Sequence, residues 1–90
     1  MKAKEKIEDL RQRIDNLWET IHNHSGAEAY AYAGLMNWFI DQSRQIRSFY
    51  EKGQMDRGDE IYNSTIKLID EAGAIIRNTI YTMGIIHVSR

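Results

Sequence analysis

Five aliphatic residues near the start of the chain, Ile7, Leu10, Ile14, Leu17 and Ile21, follow one another at intervals of 3, 4, 3 and 4. A strand cannot gather that spacing on one side, because its side chains alternate faces; an α-helix can. The seam therefore predicts a helix over about residues 4–23. Isoleucine at the a positions and leucine at d is also the arrangement that favours two strands in a parallel coiled coil. Two readings stay open at this point. The seam faces the rest of its own chain, or it faces a second copy.

The remainder of the chain continues in the same helical style. It has no proline and only six glycines to interrupt a helix. Ser25-Gly26-Ala27-Glu28 fits a capping box, in which the serine and glutamate side chains each satisfy a backbone N–H at the helix start. A second helix is expected over about 26–52, with Gly53 as the left-handed residue that ends it. At 100° per residue, Tyr32, Leu35, Met36, Trp38, Phe39, Ile46, Phe49 and Tyr50 share one broad apolar face. Gln42 falls within that face and needs a polar partner there. Tyr30 falls on the opposite, polar side, as an exposed aromatic of the kind that anchors interfaces.

A third helix is expected over about 57–84. Tyr62, Ile66, Ile69, Gly73, Ile76, Ile80 and Met83 make one row, and Ile61, Leu68, Ile75 and Ile86 a second beside it. Two rows span more of the circumference than one core-facing stripe needs. The second row thus faces either another helix of the same bundle or another chain. The apolar tail from Gly84 to Arg90 is expected to pack. Short links at 23–25 and 53–58 favour antiparallel neighbours. The fold expected is all-α, one domain over 1–90, an up-down-up three-helix bundle that associates as a homodimer.

Composition narrows the function classes. The absence of cysteine removes disulfides, thiolate zinc sites and cysteine nucleophiles, leaving self-association as the staple for a small core. The first fifteen residues are charged throughout and do not resemble a secretory signal, and no apolar run approaches the length of a membrane span. A cytoplasmic protein without membrane partners is the expectation. Twelve basic and thirteen acidic residues are spread evenly, with five of each sign in residues 1–24. A nucleic-acid binder ordinarily shows a basic face or arm. Only Lys2, Lys4, Lys6, Arg11 and Arg13 could gather into one, which keeps a nucleic-acid-binding helical dimer as an alternative.

Chemistry-bearing motifs are sparse. His22 and His24 are two apart and diverge on a helix, whereas a helical zinc pair is spaced i, i+4. Asp59/Glu60 and Asp70/Glu71 diverge for the same reason, and paired acid–base work needs convergence. Arg57-Gly58-Asp59 reads as a turn followed by a helix start, with Asp59 near the N-cap. No catalytic, cofactor-binding or metal residue is assigned, and no cofactor is expected.

One stretch points elsewhere. Leu10-Arg11-Gln12-Arg13-Ile14-Asp15-Asn16-Leu17 resembles the opening helix of the all-helical chorismate mutases, which carries a Leu-Arg-x-x-Ile-Asp pattern. The resemblance implies that Arg11 would bind substrate. Glu28 and the pair Trp38 and Phe39 stand where that family has a second arginine and a lysine. A mutase-like enzyme is therefore a further alternative. The leading expectation is a small non-catalytic helical protein, a regulator, inhibitor or assembly factor, that works through contact with a protein partner. Its interface is drawn from Ile7, Leu10, Ile14, Leu17, Ile21, Tyr30, Ile61, Leu68 and Ile75.

Overall fold

In a computed structural model, the described residues form α1 (Ala3–His24), α2 (Ala29–Glu51) and α3 (Met55–Val88), with each pair of helices in contact. The structure describes the backbone of residues 1–24 and 29–88, and the side chains of residues 1–23 and 32–79. The capping box at Ser25–Glu28, the side chain of Tyr30, and those of the tail from Gly84 onward lie outside these residues. No helix among the described residues is long and apolar enough to cross a membrane.

The α1 seam is spent inside the chain. Leu10, Ile14, Leu17 and Ile21 are buried, and Ile7 is half-buried at the end of the row. They meet Met36, Phe39, Ile46 and Tyr50 of α2 and Tyr62, Ile69 and Ile76 of α3 in one core. Of the two readings of the seam, the intramolecular one describes the packing seen here. Burying a large aliphatic or aromatic side chain contributes about 1.5–3 kcal/mol. Thr65 is the buried polar residue in this core, and its hydroxyl donates to the Ile61 carbonyl at 2.7 Å, so it carries no unsatisfied group inside.

The α2–α3 turn follows from Gly53. Its φ of 76° lies in the left-handed region. Gly53 N–H donates to the Tyr50 carbonyl at 3.0 Å, and Gln54 N–H to the Phe49 carbonyl at 2.9 Å. That pair of bonds is the Schellman closure of a helix end.

Two expectations change here. The third helix begins at Met55, so Gly58 and Asp59 lie within it rather than in a turn. Gly58 is buried, and a Cβ there would stand 2.5 Å from Cε1 of Tyr50. The glycine lets α2 approach α3. Leu35 and Trp38, expected inside, are 37% and 43% exposed. The apolar arc of α2 is wider than α1 and α3 together cover.

Candidate functional site

The two sides of α3 differ in kind. Toward α1 the contact is polar. Lys6 Nζ donates to Asp59 Oδ1 at 2.8 Å, and the Tyr50 hydroxyl donates to the same oxygen at 2.6 Å. Further along, the Tyr62 hydroxyl (3.0 Å) and Arg13 Nε (2.9 Å) both donate to Asp9 Oδ2, and Arg13 NH1 reaches Asp70 Oδ1 at 3.0 Å. The ammonium of Lys6 also lies 5.7 Å from the centre of the Tyr62 ring, within cation–π range. The bonds to Asp59 tie the three helices together near the α2–α3 turn, and those of Asp9 and Asp70 join α1 to α3 further along.

The cluster tunes its own members. Burial, and then the bonds to Asp59 and Asp9, push the Tyr50 and Tyr62 phenols above their ordinary range, so both stay protonated donors. The bond from Lys6, and then that from Tyr50, hold the Asp59 carboxyl below its ordinary value. The bond to Asp9 raises Arg13 further. Tyr50, Tyr62, Asp59 and Arg13 are thereby each stabilised in the form their neighbours require. The arrangement ties the helices together, each of its aspartates accepting from at least one donor.

Toward solvent, beside α2, α3 is apolar and open. Leu68 is 43% and Ile75 67% exposed, and Ile61 is half-buried. Trp38 of α2 lies across from them, packed edge-on against Phe39 with ring centres 5.4 Å apart. Between the helices is a groove of about 310 Å³ lined by Trp38, Gln42, Ile61, Ser64, Thr65 and Leu68, with Arg57 and Glu60 at one end. The Arg57 guanidinium lies 5.6 Å from the centre of the Phe49 ring, within cation–π range. Gln42 lines this groove and is half-buried.

The residues predicted for an interface therefore divide. Leu10, Ile14, Leu17 and Ile21 are in the core, while Ile7 lines a groove between α1 and α2. Ile61 and Leu68 line the α2–α3 groove together, and Ile75 follows Leu68 two turns later on α3. Trp38 belongs to the same surface and was not predicted. The sequence signal was its place at the edge of the α2 arc, which is invisible until the neighbours on either side are known.

The cations of the amino-terminal segment divide between two sides of α1. Lys6 and Arg13 are paired with carboxylates of α1 and α3, whereas Arg11 and Lys4 line the α1–α2 groove. His22 stands edge-on to Trp18, ring centres 4.4 Å apart. Among the described residues, no three His, Asp or Glu side chains converge as a metal site would need. No family model, curated protein or solved structure matches this chain.

Proposed function

We propose that the chain is a small non-catalytic cytoplasmic helical protein that acts by protein–protein contact, as an up-down-up three-helix bundle pairing with a second copy through the α2–α3 face. The observation that carries this reading is the exposure of Trp38 and Leu68 in one groove, with Ile75 exposed two turns further along α3. Exposed apolar side chains that include a tryptophan are characteristic of contact surfaces.

The bundle topology is supported by the ion pairs, since Lys6–Asp59 and Arg13–Asp70 advance along α1 and α3 together. A three-residue link between α2 and α3 suits antiparallel neighbours. A second copy suits the face for two reasons. Ile61 and Ile75 each lie seven residues from Leu68, so a two-fold axis there stacks Ile61 on Ile75 of the second copy. The α3 charges alongside, Arg57, Glu60, Lys67 and Glu71, are balanced in sign. A parallel partner helix would set each against its like, and an antiparallel one avoids that.

Sedimentation velocity tests the reading. The wild type is expected to sediment as a dimer at high micromolar concentration, and Leu68→Glu as a folded monomer. A wild type that stays monomeric there, or a Leu68→Glu variant that still pairs, sinks it.

A further inference from the structure

On the opposite side of the bundle, we propose that the groove between the first half of α1 and the last turns of α2 binds a small organic anion with an apolar body. A cavity of about 360 Å³ opens there, within the size range of small-molecule sites. Ile7, Tyr50 and Met55 give it apolar walls, and Lys4, Arg11 and Arg47 contribute three positive charges.

The charges decide the sign of the ligand. The side chains of Arg11 and Lys4 make no ion pair or hydrogen bond among the described residues, although Glu8 lies one helical turn from each. Arg47 is held only loosely, its Nε 3.9 Å from Glu51 with both side chains well exposed. Three cations face two carboxylates, Glu8 and Glu51, so the cavity carries a net positive charge. The cations of the other side of α1 have no such freedom, because Lys6 and Arg13 are already bonded to aspartates.

Arg11 is the centre of the site. It also lines a second recess of about 210 Å³, together with Ile14, Asp15, Ile40 and Ser43. Arg11 thus lines both recesses, the larger of them walled by Ile7 and Met55. A planar fork of donors suits a carboxylate or sulfonate, and the apolar wall suits an aromatic ring or short alkyl chain beside it. An inorganic anion would leave that wall uncovered, and a neutral apolar molecule would leave the arginine without a counter-charge.

The probe is 8-anilinonaphthalene-1-sulfonate, followed by amide chemical shifts of the intact chain. Shifts are expected at Ile7, Arg11 and Met55. Arg11→Gln, a change at an exposed position with the fold checked by circular dichroism, should weaken binding about tenfold or more. Lys67→Gln, an exposed cation outside the cavity, should leave it unchanged. The uncharged analogue N-phenyl-1-naphthylamine should bind more weakly than the sulfonate. Equal binding by Arg11→Gln, equal affinity for the uncharged amine, or shifts confined to Trp38 and Leu68 would overturn the proposal. Because this groove lies apart from Trp38 and Leu68, the result is independent of whether the chain dimerises.

Discussion

The ring of Tyr50 occupies the space that a side chain at position 58 would need, and its hydroxyl is bonded to the next residue, Asp59. Gly58 and Tyr50 are thus a matched pair across the α2–α3 contact. The absence of one Cβ lets the ring sit low enough to reach a carboxylate on the following residue.

Gly58→Ala should therefore destabilise the protein. Alanine normally stabilises a helix interior by about 1 kcal/mol over glycine. Here a Cβ 2.5 Å from a buried, anchored ring brings an overpacking cost of about 1–3 kcal/mol, which exceeds the gain. Gly34 is the contrast, since a Cβ there meets nothing within 4 Å. Gly34→Ala should stabilise by about 0.5–1 kcal/mol. Urea midpoints for the two variants should move in opposite directions, and a common direction would show that the Tyr50–Gly58 contact is misread.

Core and margin should separate in the same assay. Ile69 is buried among all three helices, and Ile69→Ala should cost about 2–5 kcal/mol. Leu35 looked equivalent in the periodic pattern, yet it is 37% exposed. Leu35→Ala should cost about 1 kcal/mol or less, since little apolar surface leaves a packed environment and no enclosed cavity forms. Equal losses at the two positions would contradict the packing described.

The polar cluster predicts the shape of the pH profile. Asp59 has a lowered folded-state pKa, so its contribution is present above the ordinary carboxylate range and is lost as pH falls through the folded value. Tyr50 and Tyr62 are raised, so theirs is present below the ordinary tyrosine range near 10 and is lost as pH climbs through the folded values. In chemical denaturation, Asp59→Asn should be less stable than wild type at neutral pH and should converge with it in acid. Tyr62→Phe should differ from wild type at neutral pH and converge with it at strongly alkaline pH. A constant difference at every pH would mean that these groups do not titrate as their bonds require.

Trp38 offers an optical report on association. It is 43% exposed in the single chain, whereas Trp18 is half-buried against the core. In a Trp18→Phe background, emission from Trp38 should lie at long wavelength in dilute solution. It should shift to shorter wavelength as concentration rises through the dimer range. No shift across a range where sedimentation shows pairing would put the contact on another face.

Much of the candidate surface is legible in the residue spacing alone. Ile61, Leu68 and Ile75 stood out because they repeat every seven residues beside a row that already supplied a core. That surplus is a property of spacing, and spacing is read directly. The α1 seam was equally visible, but its partner was not. An Ile/Leu heptad buries equally well against a neighbour in its own chain or in a second copy, and nothing local distinguishes the two.

By itself, the order of residues determined the helices and their inward faces, because side-chain direction along a helix depends only on position modulo the turn. It also determined the left-handed stop at Gly53, where a residue without Cβ adopts that backbone at no steric cost. The tertiary structure alone decided which apolar arcs were covered. It turned Arg57-Gly58-Asp59 from a turn into a helical packing site, left Trp38 and Leu35 at the margin, and split the amino-terminal cations between an ion-paired seam and an open groove. Those outcomes depend on how closely helices distant in sequence approach one another. That distance is set by the bulk of side chains meeting across the interface, such as a tyrosine over a glycine, and no single helix encodes it.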